Sequence, residues 1–291
     1  MRIGYLCRYS DSEIAFAKQA GFGSIQLLIW PGDPLDPTIT SADEVLRARD
    51  KYAEAGIEVS ALGCYVNQLD ADEATARRNV EYFRLLYDVA EQMGVDTIGA
   101  FAGRNPELDI PENIPLFESV WTEGAAIAED RGLRIAFENC PMFHYFPFRG
   151  VNIAYTPRAW ELMFEAVPSP ALGLEYDPSH LVCLLIDYLQ VIHDWGERIY
   201  HVHAKDAEID WRAVRRNGIL EPGAVRHRTP GMGVVKWSEV ISALVEVGYE
   251  GNLDIEGRHD PVYHGARENE GLVISLRHLE QFVKPEWVAG G

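Results

Sequence analysis

Four consecutive β-rich segments between residues 134 and 256 each end in a side chain that can bind a metal ion. These side chains are Glu138, Asp177, His203 and Glu256. If they meet at one place, their three carboxylates cannot all stay ionised without a cation among them. Carboxylate oxygens with a single imidazole suit Mn²⁺ or Mg²⁺, and Co²⁺, Fe²⁺ and Zn²⁺ are alternatives. The residue types therefore predict a divalent-metal site, provided that the fold brings the four together.

One repeated unit predicts such a fold. An amphipathic segment ends in glycine, and a short β-rich run follows within a few residues, as in the helix-to-strand half of a βαβ unit. The unit occurs at Gly21, Gly56, Gly94, Gly132 and Gly248. Three further strands are predicted at residues 2–6, 172–177 and 199–205. Eight strands alternating with helices predict an α/β protein, a single (β/α)₈ TIM barrel domain over residues 1–291.

The alternative architecture is an open doubly wound sheet, but its glycine-rich phosphate-binding pattern is missing after the first strand. In a barrel, the active site lies at the C-terminal ends of the strands, where the four potential ligands stand. His201 and His203 point to the same side of their strand, and His203 lies nearer the mouth. Lys205 shares this side and lies higher still, where we expect it to meet a substrate anion or oxyanion. Trp30, after the second strand, is a candidate wall for the C–H face of a sugar.

The composition argues against nucleic acids and membranes as partners and favours a small-molecule substrate. The 291 residues include 26 Lys and Arg against 45 Asp and Glu, a formal net charge of −19. Such a surface repels nucleic acids and anionic membranes at long range. The chain contains no stretch of about eighteen uncharged apolar residues, so no membrane span is predicted. The N-terminus lacks the pattern of a signal peptide. Four scattered cysteines predict reduced thiols, so we expect a cytoplasmic protein.

Five motifs in the chain resemble those of the sugar phosphate isomerase/epimerase family, in the xylose isomerase-like TIM barrel superfamily. The superfamily also holds ketose 3-epimerases, inosose isomerases and dehydratases. The resemblance is strongest from about residue 134 to residue 260. The motifs are Glu138-Asn139, Asp177-Pro178-Ser179-His180, His201-Val202-His203-Ala204-Lys205-Asp206, Pro230-Gly231-Met232-Gly233, and Gly248-Tyr249-Glu250-Gly251 leading to Ile255-Glu256.

This resemblance implies a metal centre, usually with Mn²⁺, whose ligands match Glu138, Asp177, His203 and Glu256. It implies that the two glutamates are the catalytic acid/base pair on opposite faces of the sugar. His180 matches a residue that contacts substrate hydroxyls, and Arg228 falls in a basic segment that implies a substrate contact. Family members are usually dimers or tetramers, so we expect a homo-oligomer, with the apolar tail at residues 282–288 as a candidate contact.

Two departures separate the chain from the ketose 3-epimerases in that family. Those enzymes carry a substrate-binding Glu six residues after the first ligand, where this chain has His144. His144 is therefore predicted to contact substrate, within an aromatic run at residues 143–148 that could form a wall of the site. The insert at residues 206–225 is also longer than theirs, so their substrate does not carry over.

The expected reaction starts by removing a proton α to the carbonyl of a keto-sugar, sugar phosphate or inosose. A metal bridging carbonyl and hydroxyl oxygens stabilises the enediolate, one Glu takes the proton and the other returns it. Returning it gives an isomerase or epimerase. Expelling a β-leaving group instead gives a dehydratase or lyase on a keto-sugar, keto-glycoside or keto-inositol.

Two other classes fit the sequence less well. A metal-dependent endonuclease acting at abasic DNA sites would need extra His ligands after strands two to four, and none is present there. A sugar-binding protein without catalysis would have lost one of the two glutamates, and both are present.

Overall fold

The computed structural model describes residues 1–142 and 150–283. Eight parallel strands close into a barrel in which each strand pairs with the next along the chain and the last pairs with the first. This confirms the predicted (β/α)₈ barrel. The barrel strands are β1 (Ile3–Arg8), β2 (Ser24–Leu28), β3 (Glu58–Cys64), β4 (Thr97–Ala100), β5 (Arg134–Glu138), β6 (Leu172–Tyr176), β7 (Ile199–Ala204) and β10 (Leu253–Ile255).

Helices follow the strands and cover the outside of the barrel. The predicted glycines end them as expected: at Gly56 and Gly94 the backbone turns left-handed, with φ of 73° and 71°. None of the helices in the described ranges is long and apolar enough to cross a membrane. The helices are α1 (Asp11–Ala20), α2 (Ala42–Ala55), α3 (Glu73–Met93), α4 (Ile110–Asp130), α5 (Pro157–Ala166), α6 (Pro178–Cys183), α7 (Tyr188–Trp195), α8 (Trp211–Asn217), α9 (Trp237–Glu246) and α10 (Glu268–Leu279).

The apolar core lies between the barrel and its helices. Trp121, Trp160 and Trp237 are its largest fully buried side chains, each 1% exposed. The indole N–H of Trp121 donates to the carbonyl of Ala102 at 2.9 Å, so burying this ring leaves no unpaired donor. The helices are thereby fixed against the strands, and the strand ends are held in place.

The inside of the barrel is polar halfway up. Asp254 of β10 accepts hydrogen bonds from the hydroxyls of Ser24 (3.0 Å) and Ser60. His201 lies in this layer, with Nε2 3.2 Å from Asp254 Oδ2. A Cβ at Gly4 would lie 2.1 Å from Asp254 Oδ1, so the buried carboxylate needs a glycine beside it. His201 thus lies below the barrel mouth, as the strand parity predicts.

The insert after β7 forms an antiparallel hairpin to which the sequence analysis assigned no elements. Strand β8 (Asp206–Ile209) pairs with β9 (Val225–Arg228), and α8 lies between them. Asp206 anchors the hairpin because its carboxylate accepts from the backbone N–H groups of Gly231 (3.1 Å) and Val235 (2.9 Å). The hairpin stands beside the C-terminal ends of β6 and β7, at the mouth of the barrel.

Two sequence predictions fall on residues outside the described ranges. One is His144, together with the aromatic run at residues 143–148. The other is the greater part of the tail, from residue 284 onward, that we predicted to dock on a neighbouring copy.

Candidate active site

The ends of four neighbouring strands place the four predicted metal ligands together. Glu138 is the last residue of β5, Asp177 follows β6, His203 lies near the end of β7, and Glu256 follows β10. One ligand atom from each lies within 4.8 Å of the other three. Asp177 and His203 are at most 1% exposed, whereas the Glu256 side chain keeps 11% of its surface open to the cavity above.

The charges of this cluster fit a divalent cation. Three carboxylates bring three negative charges, and the Lys205 ammonium neutralises one, lying 2.8 Å from Asp177 Oδ2 and hydrogen-bonded to Glu256 Oε2. Burial alone would lower the pKa of Lys205, but Asp177, Glu256 and Glu138 hold it well above its ordinary value. Two negative charges remain, which is the charge that one divalent ion balances.

A hydrogen bond on its far side orients the His203 ring. Its Nε2 lies 2.7 Å from the amide oxygen of Gln26 and 3.2 Å from Glu175 Oε1. Its Nδ1 faces the cluster, 3.2 Å from Glu138 Oε1. Nε2 donates to Gln26, so Nδ1 is the nitrogen that faces the cluster, and its proton, directed at Glu138, would be released when a cation binds there. Against the effect of burial, Glu175 and Glu138 raise the pKa of this imidazole well above its ordinary value.

Gln26, Tyr65 and Glu175 form one buried network beneath His203. The Gln26 amide donates to Glu175 Oε1 at 2.6 Å and to the Tyr65 hydroxyl at 3.0 Å. The Tyr65 hydroxyl in turn donates to Glu175 Oε2 at 2.8 Å. Each member is held by two others, so the network fixes the acceptor that orients His203.

Asp177 is held by its backbone as well as by its side chain. The Asn139 side chain accepts from the Asp177 N–H at 2.7 Å and donates to the Asp177 carbonyl at 2.9 Å. Asp177 Oδ1 caps α6 by accepting from the Ser179 N–H at 2.8 Å. This leaves Oδ2 directed at the cluster, and it explains why Asn139 follows the first ligand directly.

Both glutamates are ionised in this setting. Burial opposes ionisation of Glu138, but hydrogen bonds from His180 and His203 lower its pKa to about 2. Burial likewise opposes ionisation of Glu256, and Lys205 with His259 holds its pKa well below the ordinary value. A carboxylate that must accept a proton from carbon has to be ionised first, and both meet that condition.

Three histidines surround the cluster at its open side. His180, predicted as a substrate contact, has Nε2 3.0 Å from Lys205 Nζ and 3.4 Å from Asp177 Oδ2. His227 packs against His180 with ring centroids 4.8 Å apart, and burial beside Lys205 lowers its pKa to about 2. His259 Nε2 lies 2.9 Å from Glu256 Oε1.

Arg228 is placed differently from the sequence prediction. Its Nη1 lies 2.7 Å from Glu208 Oε2 and its Nε 3.0 Å from Asp260 Oδ2. Neighbouring residues of a strand point to opposite faces, so His227 faces the cavity while Arg228 faces away. Arg228 is not among the described residues that line the cavity. Its neighbour His227 lines the cavity instead, and Arg228 ties the hairpin to the loop after β10.

A cavity of about 910 Å³ lies above the cluster. Trp30 lines it as predicted, together with Glu138, His180, Lys205 and Glu256. Sequence reasoning missed His227, His259 and Tyr65, which line the cavity, and Gln26, which lies below it. Gln26 carried a usable signal, because it is a polar residue at the centre of an apolar strand and points inward. For His259, the only signal in the sequence was its position three residues after Glu256.

A model of the xylose isomerase-like TIM barrel family matches residues 14–282, so the chain belongs to this family. The uncharacterised protein MJ1311 of Methanocaldococcus jannaschii is 28% identical over 220 residues, covering 74% of this chain and 68% of that protein. YfiH of Bacillus subtilis, also uncharacterised, is 24% identical over 284 residues, covering 84% and 87%. An inosose dehydratase of Geobacillus thermodenitrificans is 33% identical over 139 residues, covering 46% and 44%, so less than half of either chain is matched.

Solved structures share the fold along almost the whole chain. A xylose isomerase domain protein of Planctomyces limnophilus superposes with a TM-score of 0.72 at 20% identity, covering 96% of both chains. The IolI protein, solved with a bound zinc atom, gives 0.72 at 19% identity, covering 98% of this chain and 100% of that one. YcjR of E. coli, a 3-keto-D-glucoside 4-epimerase, gives 0.70 at 15% identity, covering 95% and 99%. At these identities the likeness shows the barrel itself.

Proposed function

We propose that this protein is a divalent-metal-dependent isomerase or epimerase of a keto-sugar, sugar phosphate or inosose. The observation that carries the proposal is the cluster itself: two ionised glutamates share one centre with Asp177 and His203, at the floor of an open cavity. The named activities of structural relatives, among them a keto-glucoside epimerase, support the same class of chemistry.

Glu138, Asp177, His203 Nδ1 and Glu256 are the residues that would hold the metal, with Mn²⁺ as the proposed ion. Mg²⁺, Co²⁺, Fe²⁺ and Zn²⁺ suit the same donors, and a bound zinc atom in the structural relative IolI supports a metal in this protein. When bound, such an ion acts as a Lewis acid on the substrate carbonyl and makes the α-proton more acidic.

The glutamates move the proton. Glu138 stands on β5 and Glu256 follows β10, with β6 and β7 between them, so they approach the substrate from different sides. One carboxylate takes the proton from the α-carbon, and the other donates a proton to the opposite face or to the neighbouring carbon. Glu256 Oε1 also faces His259 at 2.9 Å, which offers a route for its proton to reach solvent.

The remaining polar residues bind and orient the substrate. Lys205 and His180, 3.0 Å apart, offer a cation and an imidazole to a substrate oxyanion and its neighbouring hydroxyl. Trp30 offers an aromatic face to the substrate from the opposite wall of the cavity. His144 remains a predicted substrate contact, and a homo-oligomer in the cytoplasm remains our prediction for assembly and location.

A dehydratase or lyase is the second candidate. Several sequence relatives are inosose dehydratases, including one at 33% identity over 139 residues. The first step would be the same, because a proton is again removed α to a carbonyl. The carbanion would then expel a leaving group from the β-carbon instead of being reprotonated, so the substrate decides between the two outcomes.

The test is a panel of keto-sugars, sugar phosphates and inososes, each incubated with the enzyme and Mn²⁺ in D₂O and followed by proton NMR. Deuterium at the α-carbon together with an isomeric product supports the isomerase or epimerase. Deuterium with an unsaturated product supports the lyase. Absence of exchange across the whole panel would contradict both.

A further inference from the structure

The mouth of the barrel has two chemically different halves. The ends of β5, β6, β7 and β10 carry the charged cluster. The ends of β1 to β4 carry apolar side chains that line the same cavity: Leu6, Leu28, Trp30, Tyr65 and Phe101. With Cys140 these residues form an apolar cluster of their own, separate from the main core.

Aromatic rings dominate this apolar half. Tyr65 and Phe101 are in contact, with ring centroids 5.1 Å apart. The Tyr65 hydroxyl points down to Glu175, so the ring and not the hydroxyl is directed at the cavity. Trp30 packs against the same cluster. Together the three rings form a surface suited to a flat apolar group.

The outer rim of the cavity is apolar as well. Leu184 and Leu185 line it from the loop after α6, and Ile219 and Leu220 line it from the hairpin insert. Leu185 is 55% exposed and Leu220 is 54% exposed. Leucines left open at the entrance of a cavity indicate a ligand that covers them.

Two apolar side chains at the cavity stand on strained backbone. Among the described residues, the non-glycine positions with positive φ are Met142 (47°) and Leu185 (60°). Both line the cavity. Such conformations are unfavourable for residues with a Cβ and persist where the surroundings impose them, most often at functional sites.

We infer that the substrate is a keto-glycoside whose aglycone is an apolar aromatic group. This rests on the proposed function, because the charged half of the mouth would hold the oxidised sugar. The aromatic half and the leucine rim would hold the aglycone. A free hexose would fill only part of a cavity of about 910 Å³, a volume typical of drug-sized ligands. The hydroxyls of a free hexose that the charged half does not bind would face apolar side chains, which accept no hydrogen bonds.

Binding of unreactive probes tests the inference without turnover. Phenyl and methyl glucosides, each as both anomers, are titrated into the Mn²⁺-loaded protein by calorimetry. We expect the phenyl compound of at least one pair to bind about tenfold tighter or more, since the ring leaves water. Equal affinity within both pairs would overturn the inference.

Variants test which side chains cause the preference for the phenyl glucoside. Leu220→Ser, at an exposed position that leaves the fold intact, and Trp30→Ala should each reduce the phenyl preference severalfold. Leu116→Ser, at a 37% exposed leucine of α4, is the matched control and should keep the full preference. A preference that survives both cavity variants would place the phenyl group elsewhere and contradict the inference.

Exchange in D₂O separates the inference from the proposed function. The keto forms of the same phenyl and methyl glucosides are incubated with the enzyme, and deuterium at the α-carbon is followed by proton NMR. If the function and the inference both hold, the phenyl compound exchanges with the higher kcat/KM. Equal kcat/KM for the two would retain the function and overturn the aglycone assignment. Exchange with neither counts against the function, while the binding comparison still decides the aglycone.

Discussion

At His203, a single hydrogen bond decides which ring nitrogen faces the cluster. Gln26 lies on β2, separated from β7 around the barrel by β1 and β10, and reaches the ring through the interior, 2.7 Å from Nε2. Strand parity predicted His203 as the ligand, but a contact between residues so far apart in the chain leaves no local pattern. The convergence of the four predicted ligands was therefore foreseeable from the sequence, and the network beneath His203 was not.

Gln26→Leu should weaken Mn²⁺ binding about 10–100-fold, because the His203 ring loses the acceptor that fixes its orientation. Calorimetric titration of the metal-free protein with Mn²⁺ measures the change. Gln190→Leu, at an exposed residue of α7, is the matched control and should bind as the wild type does. Unchanged affinity in Gln26→Leu would mean that Glu175 alone orients the ring.

Asp260 stabilises the loop after β10 in a pH-dependent way. Burial opposes its ionisation, but the backbone N–H groups of Thr229, Tyr263 and Val262 and the Arg228 guanidinium lower its pKa to about 2. The folded pKa lies below the unfolded value, so the stabilisation is present above about pH 4 and is lost as the pH falls through 2. Its full size is about 2 kcal/mol.

Asp260→Asn should lower the free energy of unfolding relative to wild type at pH 6, and the difference should shrink by about 1 kcal/mol at pH 3. Urea unfolding at the two pH values measures this. Asp130→Asn, at an exposed residue that ends α4, controls for the loss of a negative charge. A difference that is independent of pH would contradict the lowered pKa of Asp260.

At the scale of elements, the glycine-terminated helices were the strongest signal in the sequence. They placed five of the eight barrel strands because a left-handed helix end and an abrupt strand are both local features. The hairpin β8–β9 was not predicted. Its two short strands pair across an intervening helix, and Asp206 anchors them to a turn more than twenty residues away.

Gly99 of β4 packs closely against Glu175 and Gln26, in the network beneath His203. A Cβ there would lie 2.7 Å from Glu175 Oε1 and 3.0 Å from Gln26 Nε2. Gly99→Ala should therefore displace the network under His203 and lower the free energy of unfolding by about 1–3 kcal/mol. Thermal or urea unfolding measures the loss.

Gly23→Ala is the control for that substitution, since its Cβ would approach only aliphatic carbons of the Arg2 side chain, the nearest at 3.2 Å. It should change the unfolding free energy little. If Gly99→Ala were as stable as this control, the Glu175 carboxylate would have room to move, and the network could not fix His203 as described.

At the scale of the whole molecule, the two halves of the barrel mouth differ in chemistry. Consecutive strands β5, β6, β7 and β10 supply the charged cluster, and β1 to β4 supply apolar walls. The sequence predicted the charged half because four carboxylate or imidazole residues end four successive strands. Of the apolar half it predicted only Trp30, because leucines and aromatics at strand ends look the same whether they fill a core or line a cavity.

The measurement that tests the central claim most directly compares wild type with Glu256→Gln, recording metal content and α-proton exchange in D₂O on the same samples. The amide keeps an oxygen for the metal but cannot act as the base. We expect Glu256→Gln to retain Mn²⁺ and to lose exchange by about 10²–10⁴-fold. Full exchange in the variant, or turnover in wild type that moves hydride between carbons without deuterium uptake, would contradict the account.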